Sequence, residues 1–144
     1  MSTETNKTTL RRLVNELFNN KNVDLIDELF APDFVEHEEI PGIDSGREGV
    51  RQASQMFFAA FPDLNVVIQD ILADGDKVVA REQWTGTHQG EFMGMPATGN
   101  QVAFNVIDIV RFSEGKLVEH WAVSDMLALL TQLGAIPEPD EVGI

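Results

Sequence analysis

Residues 64–123 read LNVVIQDILADGDKVVAREQWTGTHQGEFMGMPATGNQVAFNVIDIVRFSEGKLVEHWAV. Val, Ile, Phe and Thr dominate this stretch and glycine-bearing turns divide it, a pattern that predicts strands over Leu64 to Ala73, Lys77 to His88, Val102 to Phe112 and Lys116 to Val123. Asp74-Gly75-Asp76 and Ser113-Glu114-Gly115 are tight-turn sequences, in which glycine takes a positive φ without a Cβ clash. Gly90 to Asn100 is a longer loop between the two hairpins. The second half of the chain is therefore an antiparallel meander.

Upstream, the apolar period changes to that of helices. Leu10, Leu13, Val14, Leu17 and Phe18 place one amphipathic helix over Lys7 to Asn19. A short second helix carries Val23, Leu25, Ile26, Leu29 and Phe30 and is ended by Pro32, and Phe34 to Glu38 is extended. Ser45 and Glu48 match a capping box that starts a third helix running to about Phe61, before Pro62-Asp63. A last helix begins at Ser124 and stops at Gly134. Helices first and strands later define an α+β domain with helices on one face of an antiparallel sheet. One domain spans residues 1–144, with an acidic tail over about 137–144 expected to be mobile.

Charge and composition narrow the function. A net charge of −14 repels nucleic-acid phosphates and anionic membranes, so neither is an expected partner. No apolar run reaches the roughly 18 residues of a membrane span, and the polar start MSTETNKTTLRR lacks a signal-peptide core, which together predict a cytoplasmic protein. Zero cysteines exclude disulfides, thiolate nucleophiles and Cys-ligated metals.

Tyrosine is also absent, so three histidines and the carboxylates are the groups able to move protons near neutral pH. His37 lies on the extended segment, His88 ends a strand, and His120 sits beside Trp121 in the last strand. Their separations lack the i, i+3 or i, i+4 spacing of common zinc motifs, and no metal site is expected. His120, Trp121 and Asp125 form the densest group, where the last strand meets the last helix. Burial would raise the pKa of Asp125 and the helix start would lower it, so a proton-transfer role and a plain helix-supporting role both fit. His120 is equally open to a substrate-facing or a structural role, and in a regular strand it points to the face opposite Trp121. Trp84, Met93, Phe104 and Trp121 are candidates for an apolar pocket wall or for the core. Asp108 and Arg111, three apart in one strand, fall on opposite faces unless a bulge intervenes.

Ala60-Phe61-Pro62-Asp63-Leu64, Gly75-Asp76-Lys77-Val78-Val79, Gly86-Thr87-His88 with Gly90, Gly94-Met95-Pro96, Gly115-Lys116, His120, Asp125 and Gln132-Leu133-Gly134 recur in one order and spacing. Through these residues nearly the whole chain resembles the SnoaL-like polyketide cyclases of the nuclear transport factor 2-like superfamily. The resemblance implies a cone-shaped half-barrel closed by helices, and a homodimer or homotetramer formed through the outer sheet face. It implies a small apolar carbonyl-bearing substrate, no metal and no cofactor. It also implies an intramolecular aldol-type closure with Asp125 as acid/base, assisted by His120 or His88. The candidate site is thus Asp125 and His120 for catalysis, with His37, His88, Trp84, Met93, Phe104 and Trp121 around the substrate. The residues around Asp125, Trp121-Ala122-Val123-Ser124, depart from the characterised cyclases. The absence of tyrosine sets the chain apart from ketosteroid isomerases, scytalone dehydratases and limonene epoxide hydrolases. A non-catalytic module that holds an apolar ligand or mediates oligomerisation is the competing expectation on the same fold.

Overall fold

In the hairpin turn at Glu114-Gly115 both residues take positive φ, 51° and 79°, the conformation whose twist matches that of the strands it joins. Those strands, β4 (Gln101–Ser113) and β5 (Lys116–Ser124), continue the meander begun by β2 (Asn65–Asp74) and β3 (Lys77–Thr87). A computed structural model describes residues 2–137 of the chain; the expected mobile tail falls almost wholly outside them.

Ser2 caps helix α1 (Thr3–Leu13), accepting the Thr5 N–H on its hydroxyl. The helix starts earlier than periodicity predicts and widens to a π-helical stretch, Val14–Asn19. The Asn19 amide then pairs with both backbone groups of Val66, accepting its N–H at 2.7 Å and donating to its carbonyl at 3.0 Å, so the helix end docks on β2 as a strand would. Helix α2 (Leu25–Leu29) leads directly into β1 (Phe30–Glu36). Pro32 therefore lies inside a strand rather than just past a helix. The position is tolerated because β1 is an edge strand with irregular pairing between Phe30 and Val35, where a missing N–H breaks no ladder.

The sheet order is β1-β5-β4-β3-β2. Its four meander strands are antiparallel as expected, but β1 joins β5 in parallel, so the curved sheet is mixed and open. Two bulges shape it. Gln69 is extra in β2 and Val118 is extra in β5. Each reverses the side-chain parity of its strand.

The concave face carries the core. Along β4, Val102, Phe104, Val106, Asp108, Val110 and Phe112 are all buried while the residues between them face out. Leu10, Leu13, Leu17, Ile26 and Phe34 pack against one end of this face with Val78, Val110 and Leu117. Trp84, Phe92, Phe104, Phe61 and Leu129 form the other end.

Helix α3 (Arg47–Ala60) covers the face between them. The capping box expected at its start is not used: Gly46 is the N-cap, the Ser45 carbonyl accepts the Glu36 N–H at 2.7 Å, and Glu48 bonds Arg51. The segment over residues 37–46 is thereby strapped onto the helix. A Cβ on Gly49 would stand 1.7 Å from the Asp44 carbonyl oxygen, so only glycine permits this approach. Gly49→Ala is expected to displace the strap at a cost of about 1–3 kcal/mol, read from the urea midpoint.

Helix α4 (Met126–Gln132) closes the chain against β4. The Gln132 amide pairs with Ala103 as a short strand would, accepting its N–H at 2.7 Å and donating to its carbonyl at 2.8 Å. Asp125, not Ser124, is its N-cap.

Candidate active site

The alternation of β3 and β4 brings two acids to the buried face: Glu82 between Ala80 and Trp84, and Asp108 between Val106 and Val110. In β5 the bulge at Val118 lets Leu117 enter the core and then turns His120, Ala122 and Ser124 inward. Trp121 is left on the outer face. Glu82, Asp108, His120 and Ser124 share a cavity of about 790 Å³ with an aromatic wall of Phe18, Phe57, Trp84, Phe92 and Phe104, roofed by the strap through Ile40, Pro41 and Ile43.

His120 stands at the polar end. Its Nδ1–H donates to Glu36, 2.6 Å to Oε2 and 2.8 Å to Oε1, and its Nε2–H donates to Asp108 Oδ1 at 2.8 Å. Burial alone would lower the imidazole pKa, but these two hydrogen-bonded carboxylates outweigh it and push the value up to about 10. The ring is thus a standing cation at neutral pH. Both its nitrogens face carboxylates, leaving no lone pair for a metal, and among the described residues no group of three or more His, Asp or Glu is arranged to hold one.

Glu82 is the complementary case. Burial, followed by the adjacent Asp108 charge, pushes its carboxyl up to about 10, so it stays neutral. It accepts from Trp84 Nε1–H at 2.9 Å and donates its own proton to Asp108. Burial opposes the ionisation of Asp108, yet hydrogen bonds from His120 and Glu82 hold it below its ordinary value. The chain Trp84–Glu82–Asp108–His120–Glu36 is therefore continuous, running from neutral Trp84 and Glu82 to the Asp108 anion and the His120 cation. Such a chain is able to store and redistribute protons within a low-dielectric chamber.

Of the residues singled out from sequence, Trp84, Phe104 and His120 face the cavity, and Met93 sits on its rim, 52% exposed. Four others do not. His37 stacks on Trp121 outside the cone, rings 4.7 Å apart and 7° from parallel, with Nε2 bonded to Glu119 at 2.8 Å. His88 is fully buried behind the wall, its Nδ1 accepting the Thr98 N–H at 3.2 Å and its ring against Phe61. Asp125 is exposed and does not line the cavity; its carboxylate accepts the Ala128 N–H at 3.0 Å. The reversed parity of β5 turns Ser124 inward and leaves Asp125, the next residue, at the rim of α4.

Sequence reasoning missed Glu36, Glu82 and Asp108. The signal was present for two of them: each acid occupies the apolar parity of its strand, a position that favours burial and hence a partner.

The open cone and its lined cavity are the nuclear transport factor 2-like α+β fold. The model of the SnoaL-like polyketide cyclases matches residues 8–133. The chain is 28% identical over 129 residues to the nogalonic acid methyl ester cyclase of Streptomyces nogalater, covering 88% of this chain and 95% of that enzyme. Among solved structures it is similar to IdmH of Streptomyces antibioticus, a candidate polyketide cyclase, at 38% identity and TM-score 0.78, covering 90% of this chain and 98% of IdmH. It is also similar to AclR of Streptomyces galilaeus, a candidate hydroxylase, at 34% identity and TM-score 0.86, covering 98% and 88%. The chain belongs to the SnoaL-like polyketide cyclase family.

Proposed function

We propose that the protein is a cofactor-independent cyclase that closes a ring in a polyketide-type carbonyl substrate by intramolecular aldol chemistry. The observation that carries this reading is the His120 cation, clamped between Glu36 and Asp108 at the polar end of an otherwise aromatic cavity. An aldol closure develops negative charge on oxygen, first in an enolate and then in an alkoxide, and a fixed cation beside an aromatic wall lowers the energy of both. The aromatic wall would fold the flexible chain so that its reacting carbons meet, which is a large part of what such a reaction needs.

This reading makes the His120–Asp108 network the electrostatic centre of the site and gives Asp125 a capping role. With nogalonic acid methyl ester as the probe, Asp108→Asn is expected to lower turnover by about 10²–10⁴-fold. Asp125→Asn, which preserves the cap, is expected to stay within about 3-fold of the parent. The reverse pattern, measured by product formation under saturating probe, would return the catalytic role to Asp125.

Self-association through the outer sheet face belongs to the same reading. Ile107, Ile109 and Val123 are exposed there beside Trp121, and a contiguous apolar face of this kind favours a second copy of the chain.

A further inference from the structure

His120 already gives both ring protons to carboxylates, so another group must take the proton from the substrate carbon. We propose that Glu38, on the strap beside the cavity, is this base, with Ser124 as the residue that positions it; the proposal rests on the cyclase reading above.

The argument is one of elimination by geometry. Glu36 accepts two contacts from His120 and the Glu38 N–H at 3.1 Å. Asp108 is held by His120 and Glu82, and Glu82 by Trp84 and Asp108. Glu39 and Asp44 are exposed on the strap. Glu38 alone among these cavity-lining acids is half-buried with a single hydrogen bond to its carboxylate, from Ser124 Oγ–H at 3.2 Å. Its remaining lone pairs are available to a molecule in the chamber.

The environment suits a base. Burial raises the Glu38 pKa most, the charges of Glu36 and Asp108 raise it further, and the His120 cation and the Ser124 hydroxyl oppose them. A carboxylate shifted upward in this way has a greater appetite for a carbon-bound proton than an ordinary one. Ser124 owes its place to the same bulge that turns His120 inward.

The step balances without a co-reactant. The Glu38 carboxylate takes a proton from the carbon between carbonyls, and the C–H electron pair becomes the enolate. The enolate carbon bonds to the acceptor carbonyl carbon, whose π pair moves to its oxygen. That oxygen takes the proton back from the Glu38 carboxyl, so the net reaction is an isomerisation.

The test compares the parent, Glu38→Gln, Glu38→Asp, Ser124→Ala and Asp108→Asn on nogalonic acid methyl ester across pH, with circular dichroism as the check of folding. Glu38→Gln is expected to lose at least about 10²-fold in kcat while folded, with Glu38→Asp recovering part of it. Ser124→Ala is expected to move the acid limb of the kcat profile to higher pH, since it removes a donor that stabilises the Glu38 anion. An active parent with an impaired Asp108→Asn and an unimpaired Glu38→Gln overturns the role of Glu38 and leaves the cyclase reading standing. Should Glu38→Gln not fold, an unmoved acid limb in Ser124→Ala overturns it instead. A parent idle on the probe removes the cyclase reading and this proposal together.

Discussion

Alanine at His120 is expected to abolish measurable turnover and to destabilise the fold by about 3–5 kcal/mol. The imidazolium is the only cation among the described residues that line this cavity, and it sits within hydrogen-bond distance of two carboxylates that β1 and β4 hold in place. Removing it leaves Glu36 and Asp108 as like charges at one end of the cavity, where each loses a charge-assisted hydrogen bond worth more than a neutral one. Without the His120 hydrogen bond, the Asp108 carboxyl is expected to rise from its lowered value. The loss is therefore recoverable in part: Asp108→Asn in the His120→Ala background should restore stability, although Asp108→Asn alone should reduce it. Urea denaturation of the four proteins measures the coupling directly, and additive effects would mean that the His120–Asp108 contact is not a working ion pair.

The second large effect is a loss of stability on the alkaline side. His120 has a folded-state pKa of about 10 against an ordinary value of 6.5, so its contribution is complete below 6.5 and disappears as pH rises through 10. Glu82 behaves with the same sign. Its carboxyl is raised from 4.5 to about 10, so folding retains a proton that the unfolded chain has already released, and stability falls across that range as the pH increases. Asp108 is shifted downward and acts only in acid. Between pH 7 and 9 the two retained protons pull in one direction, and stability falls as the pH rises. The urea midpoint should therefore drop steeply between pH 7 and pH 9. Glu82→Gln, a neutral isostere of the protonated acid, should flatten the slope by about half and raise stability at pH 9. Equal midpoints for the parent at the two pH values would show that the network does not hold these protons.

Both expectations concern a network that no local pattern in the chain reveals in full. Asp108 and Glu82 were legible as anomalies, acids on the apolar parity of their strands. Glu36 was not, because it lies in an extended segment with no clear period and meets His120 from 84 residues away. The face chosen by His120 was undecidable for a different reason. Strand parity is exact only while a ladder is regular, and one extra residue at Val118 reverses it.

The same reversal accounts for Asp125. Its distance from His120 and from Gln132-Leu133-Gly134 agrees with the family pattern, yet position along the chain does not specify where a side chain points. At the junction of β5 and α4 the backbone turns so that Ser124 faces the cavity and Asp125 caps the helix from outside.

What the chain determined without tertiary help was the order of most elements: four meander strands within about a residue of their observed ends, and the main helices. Those features depend on periods of two and 3.6 residues and on turn glycines, all of them local. The parallel seat of β1, the inward face of β5 and the pairing of one histidine with two carboxylates depended on contacts between distant segments. Their free energy exists only after the sheet has curved around its core.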